Sequence, residues 1–152
     1  MKVKEWNDGF GREVATWHYE PPYDFYDLAS DPDDEAAMHD PARAAHYRAV
    51  LADGDGRLDA FWYFDWPDGA VEVGIGLRPD LTGRGQGKSF LTAQLAYATR
   101  AWQPAAFRLF VAVWNERAIR LYERLGFGEV DRETRGFELV GDHEFVRMER
   151  PA

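Results

Sequence analysis

The chain has 152 residues, with a hydrophobic share of 45%, an aromatic share of 15% and a formal net charge of −9 at pH 7. That is apolar enough for one self-sufficient core over residues 1–152 and too apolar for a disordered protein; the acidic balance speaks against a nucleic-acid or membrane partner, either of which needs a basic face. Cysteine is absent, which removes disulfides, thiolate metal sites and cysteine nucleophiles and fits a reducing compartment. The opening Met1–Trp6 stretch lacks the apolar run of a signal peptide, and no segment reaches bilayer length. The expectation is a soluble cytoplasmic protein.

In chain order, Lys2–Trp6 reads as a short strand, and Asp8 as the cap of a helix to about Thr16 with Phe10, Val14 and Trp17 on one side. Pro21-Pro22 forbids regular helix in the aromatic stretch Trp17–Tyr26. Asp31-Pro32 opens a short helix as N-cap and first-turn proline. His46–Leu51 and Leu58–Phe64 read as strands joined at Asp53-Gly54-Asp55-Gly56, a hairpin signal. Glu20 to Asp40 holds eight carboxylates and no Lys or Arg, which is either a solvated acidic surface or a funnel for a cationic substrate.

Ala70–Leu77 alternates as a strand, with Val71, Val73, Ile75 and Leu77 on one face and Glu72, Gly74 and Gly76 on the other. The two missing side chains predict either a groove where a ligand approaches the backbone, or a bulge or tightly packed helix crossing. Then come Thr82-Gly83-Arg84-Gly85-Gln86-Gly87-Lys88-Ser89 and a helix with Leu91, Leu95, Ala98 and Trp102 on one stripe and Pro104 past its end. Phe107–Val113 is an apolar strand, and Asn115 caps a helix with Ala118, Ile119, Tyr122 and Leu125 in line. Glu116 and Arg120 pair on its outside, and Gly126 ends it. Val130–Arg135 and Glu144–Glu149 close the chain as strands. The order β-α-α-β-β-β-α-β-α-β-β predicts an α/β domain with a mostly antiparallel sheet and one parallel crossover, from Ala70–Leu77 to Phe107–Val113.

Glycines at alternate positions ahead of a helix leave backbone amides accessible at its positive end, which makes an anion site for phosphate or pyrophosphate. Gly87-Lys88-Ser89 matches the end of a nucleotide-binding P-loop, but that pattern needs glycine where Thr82 stands. The magnesium-binding aspartate expected at the end of a later apolar strand is also missing, since Val113 is followed by Trp114-Asn115.

A second pattern fits better. Arg84, Gly87 and Ser89 resemble the Arg/Gln-x-x-Gly-x-Gly/Ala pyrophosphate loop of the GNAT acetyltransferase family, with serine as a small-residue departure. Asn115 through Phe127 resembles that family's second motif, Asn-x-x-Ala-x-x-x-Tyr-x-x-x-Gly-Phe. The motifs lie in the family's order, over about Val71 to Phe127. The resemblance implies a GNAT-like α/β fold and acetyl-CoA as co-substrate. His18, His39, His46 and His143 are dispersed without the i,i+4 pairing of a helical metal site, so no metal is expected. The acetyl group would pass to a primary amine of a small molecule or peptide by direct attack in a ternary complex.

It implies that Arg84, Gly85, Gln86, Gly87, Lys88 and Ser89 hold the pyrophosphate. The main chain at Leu77 and Arg78 would meet the pantetheine arm, which Asn115 contacts unless it merely caps its helix. Tyr122 would protonate the departing thiolate, unless it is a core tyrosine on its apolar stripe, and Glu72 would serve as general base, unless it is a satisfied strand glutamate, with His143 and Glu144 as outside candidates. Trp17, Tyr19, Tyr23 and Tyr26, with Phe25, Asp24 and Asp27, would wall the acceptor, unless those aromatics only close the core. A non-catalytic acyl-CoA-binding or sensing module and an interaction subunit docking through Trp17–Tyr26 are the rival readings. Acceptor identity, acyl length and the general base are left open, and a homodimer remains one option for assembly.

Overall fold

The computed structural model describes residues 1–152. Its strands and helices follow the expected order. One seven-stranded sheet, ordered β1-β2-β3-β4-β5-β7-β6, is built from β1 (Lys2–Glu5), β2 (Tyr47–Leu51), β3 (Leu58–Asp65), β4 (Ala70–Leu77), β5 (Ala106–Ala112), β6 (Gly128–Phe137) and β7 (Gly141–Pro151). The helices are α1 (Asp8–Val14), α2 (Pro32–His39), α3 (Gly87–Trp102) and α4 (Glu116–Arg124). The chain forms two compact units.

The first unit comprises Met1–Tyr63, Ile75–Gly83 and Phe137–Gly141. β1 and β2 pair antiparallel with Lys2 opposite Leu51, and β2 pairs antiparallel with β3, Tyr47 opposite Tyr63. Trp6, Val14, Trp17, Leu28, Met38, Tyr47 and Leu58 are buried together, with Phe10 and Phe61 against them. Trp6 buries its indole and still satisfies its N–H, which donates to the Met38 carbonyl at 2.9 Å; an aromatic ring with a polar edge is stable inside only on that condition. Helix α1 differs from expectation at both ends. Asn7 rather than Asp8 is the cap, accepting from the Phe10 amide at 3.3 Å. The helix stops at Val14 because Thr16 and Trp17 turn to the tighter i−3 carbonyls of Glu13 and Val14.

The second unit comprises Phe64–Gly74, Arg84–Gly136 and Asp142–Ala152. β4 and β5 run parallel, as the intervening helix requires, and β5 pairs antiparallel with β7 over seven positions, from Ala106 opposite Pro151 to Ala112 opposite Phe145. Phe107, Leu109 and Val111 of β5 and Val146 and Met148 of β7 are buried, as are Phe90, Leu91, Leu95 and Ala98 of α3. Gln103 closes α3 in the left-handed conformation at φ 44°, and Gly126 follows α4 at φ 91°. β6 and β7 outrun their sequence-based limits because β6 is solvent-exposed along most of its length, so no apolar alternation marks its ends.

Gly76 corrects one expectation. A Cβ built there would lie 2.1 Å from the Phe61 ring, so the missing side chain makes room for a core aromatic and opens no groove at that position. Gly76→Ala is therefore expected to lower the unfolding free energy by about 1–3 kcal/mol through overpacking, measured as a shifted denaturant midpoint, and Phe61→Leu in the same chain should recover part of the loss.

Candidate active site

The loop entering α3 is built to present backbone. Gly83 and Gly85 hold φ of 71° and 73°, a region open to glycine at little cost, and nothing lies within 4 Å of where a Gly85 Cβ would stand. Gln86 occupies the N-cap position without a side-chain cap, and no acidic residue sits in the first turn. Ser89 and Phe90 are the amides that find the Gln86 carbonyl, at 3.1 and 3.2 Å, and the Ser89 hydroxyl adds a bond to the same oxygen at 2.9 Å. Ser89 thus spends its amide inside the helix. Arg84 and Lys88 are exposed beside it, so cationic side chains flank a helix end that already favours an anion.

α4 meets this loop through a close approach. A Cβ at Gly87 would stand 2.9 Å from Leu121 Cδ2, so the absence of a side chain at Gly87 lets the first turn of α3 lie against α4, one residue from Tyr122. Asn115 caps α4, its side chain accepting from the Ala118 amide at 3.2 Å, which accounts for its burial. Tyr122 stands edge-on to Phe127 with ring centroids 6.2 Å apart. No residue of α4 is fully buried, although Ile119, Leu121, Tyr122 and Leu125 are all partly covered. A half-covered apolar face beside an amide-presenting loop suits a ligand with a phosphate end and an apolar arm.

The parallel ladder between β4 and β5 covers only Ala70, Val71 and Glu72 against Ala106, Phe107 and Arg108. Past it, the Gly74 carbonyl accepts from the side-chain amide of Gln94, a fully buried α3 residue, at 2.9 Å. Sequence reasoning missed Gln94; a glutamine at a core-facing position of α3 was the available signal. Glu72 is half-buried on the face it shares with Arg108. Burial lifts its carboxyl above the usual glutamate range, Arg135 and Arg108 pull it down, and Asp65 and Glu133 push it up. A carboxyl raised in this way holds its proton less reluctantly at neutral pH and suits acid–base work.

In the first unit, the Tyr19 hydroxyl donates to the Leu77 carbonyl at 2.6 Å, its amide donates to Asp27 at 2.8 Å, and burial raises its phenol far above the usual range. The Arg78 amide donates to the Asp59 carbonyl at 2.8 Å, while its side chain pairs with the carboxylates of Asp80 at 2.5 Å and Asp59 at 3.4 Å. The Leu77 carbonyl and the Arg78 amide are thus engaged within the protein. Trp17 is buried and stacked on Phe61 at 6.3 Å, a core role. Tyr23 and Tyr26 lie in the 3₁₀ turn Tyr23–Tyr26, with Tyr26 exposed and Phe25 edge-on to Phe137 at 5.1 Å. No cluster of three or more His, Asp or Glu is arranged to hold a metal, and no helix is long and apolar enough to cross a membrane.

Glu72 makes a testable contribution to stability. Its folded pKa lies above the unfolded value, so the native state binds the extra proton in that window and loses stability as pH rises through it. Glu72→Gln is expected to unfold at higher denaturant than wild type at pH 7, with the difference closing near about pH 4 as both forms become neutral, read from midpoints across pH.

Comparisons with known proteins agree with this arrangement. The sequence profile of the Acetyltransferase (GNAT) family matches residues 6–127. A mycothiol acetyltransferase of Nocardiopsis dassonvillei is 35% identical over 128 residues, 84% of this chain and 34% of that protein; one from Acidimicrobium ferrooxidans is 36% identical over 65% of this chain and 30% of its own length. The chain thus spans about a third of these curated relatives. Among solved structures, a GNAT-family acetyltransferase from Bacillus anthracis superposes with TM-score 0.73 at 11% identity, covering 98% of this chain and 93% of that one. The spermidine N-acetyltransferase of Vibrio cholerae, in complex with CoA and spermine, gives 0.68 at 21% identity over 99% and 94%; at these identities the likeness is one of fold. With an exposed amide loop ahead of α3, a capped α4 packed on its first turn and a parallel ladder that stops after three pairs, the chain belongs to the GNAT acetyltransferase family.

Proposed function

We propose that this protein is an acetyl-CoA-dependent N-acetyltransferase acting on a primary amine of a small molecule or peptide. The observation that carries the reading is the uncapped α3 N-terminus behind Gly83 and Gly85, held against α4 beside Tyr122 through Gly87. Acetyl-CoA supplies an acetyl thioester on which the amine displaces the thiolate, so a C–N bond forms, the C–S bond breaks and the amine gives up a proton. The amides of Arg84–Lys88 bind the diphosphate, with Arg84 and Lys88 adding positive charge. The partly covered Leu121 and Leu125, i,i+4 neighbours on one side of α4, receive the apolar arm.

Glu72 accepts the amine's proton, directly or through water; its raised pKa brings it closer to the basicity this needs. The Tyr122 hydroxyl gives its proton to the departing sulfur, a task for a phenol that stays protonated at neutral pH. In the first unit, Tyr23 and Tyr26, with Asp24, form the proposed acceptor-reading segment, where aromatic faces and a carboxylate suit an amine. A cysteine-free sequence supports a reducing compartment such as the cytoplasm as its setting.

Thiol release from acetyl-CoA across a panel of amines, with product masses recorded, is the direct test. Tyr122→Phe is expected to lower kcat by about 10²-fold while CoA affinity stays within about twofold. Because Glu72 acts as its carboxylate, kcat/KM should rise with pH through the raised Glu72 range, and Glu72→Gln should flatten that limb. Binding of CoA with no turnover on any amine would leave a sensing module in place of an enzyme.

A further inference from the structure

The sheet face that carries Glu72 continues through the second unit. Arg108 on β5 is registered with Glu72 on one side and Glu149 of β7 on the other, and Phe110 is registered with Arg147. Arg108, Phe110, Asp131, Arg132, Glu133 and Arg147 line a cleft of about 260 Å³. Two of the nearby cations are committed. Arg132 holds Glu129 at 2.5 Å, and Arg135 holds Glu133 at 2.9 Å while lying 4.2 Å from the centre of the Phe110 ring.

Arg108 and Arg147 are not satisfied in this way. Each lies 3.6 Å from an oxygen of the same carboxylate, Glu149, and Arg147 reaches Asp131 only at 3.9 Å. These separations attract but are too long for hydrogen bonds. The Nε–H of each guanidinium is buried and meets no acceptor. Two donors have lost water without gaining a partner, an arrangement that costs free energy unless something else supplies the acceptor.

We propose that this cleft is a carboxylate subsite, where Arg108 and Arg147 hold the acid group of an amino-acid or peptide acceptor while its amine is offered to Glu72 on the same face. The proposal rests on the acetyl-transfer reading and adds the acceptor's chemical class. A planar carboxylate matches the paired Nη groups of a guanidinium, whereas a lysine at either position would offer only a point charge. The cleft is small for a nucleotide and adequate for a carboxylate on a short chain, with Phe110 as its apolar lining. Phosphate shares the oxyanion chemistry, but Asp131 and Glu133 in the lining repel a dianion more than a monoanion. Glu149 competes for the same guanidiniums, so a bound acid has to displace its pull.

Calorimetric titration with N-acetylglycine, N-acetylglycinamide and inorganic phosphate tests this without turnover. The acid should bind more tightly than the amide and than phosphate. Arg108→Gln and the conservative Arg147→Lys should each weaken the acid by about tenfold, and Glu149→Gln should tighten it, an effect of opposite sign that a damaged fold cannot imitate. In turnover, amino-acid acceptors should show lower KM than their amides, and Arg147→Lys should erase that preference. Equal affinity for acid and amide overturns the proposal, as does a preference for phosphate; the wild-type comparison decides even if a variant fails to fold. Arginine-dependent acid binding in a protein that releases no thiol defeats the acetyl-transfer reading alone, and thiol release with no acid preference defeats the subsite alone.

Discussion

The free amides at the start of α3 are the constraint around which the second unit is arranged. A helix begins with N–H groups that have no partner inside it, and most helices answer them with a capping side chain such as the one Asn115 gives α4. α3 has no such cap. Its first turn is instead led in by glycines whose positive φ keeps side chains away, so the dipole end and the amides stay accessible. Two helices of one unit thus begin differently, one capped by its own asparagine and one left open.

Close approach by glycine appears twice with different results. At Gly87 the missing Cβ lets the first turn of α3 come down on Leu121 of α4. At Gly76 the space is already filled by Phe61, so a glycine that looked like room for a ligand is room for a ring. Sequence cannot distinguish these cases, because both are a small residue at a crowded point and the occupant comes from a remote segment.

The charged face of β4, β5, β7 and β6 shows a related limit. Arg108 lies about forty residues from Arg147 and Glu149, and the three carry no motif. They converge because the antiparallel register of β5 with β7 sets Arg108 opposite Glu149 and Arg147 opposite Phe110. The same register places Glu72 in line through the parallel pairing of β4 with β5. Desolvation along this face raises Glu72 and leaves two guanidinium donors unmet, so one cause, burial of charge on a pleated surface, underlies both features.

The succession of strands and helices, the parallel crossover, the Asn115 and Asp31 caps, the Gly126 stop and the glycine turn ahead of α3 were all legible in the chain itself. Each depends on residues a few positions apart, whose backbone preferences and periodicities act locally. Tertiary structure decided what those local rules leave free: that Trp17 packs on Phe61, that the Tyr19 hydroxyl takes the Leu77 carbonyl, that Gln94 reaches Gly74, and that Arg78 is held by Asp59 and Asp80. It also fixed the ends of β6, whose exposed, charged sequence carries no hydrophobic alternation. These outcomes turn on which distant segment arrives beside a given side chain, and register and packing, not nearest-neighbour chemistry, set that.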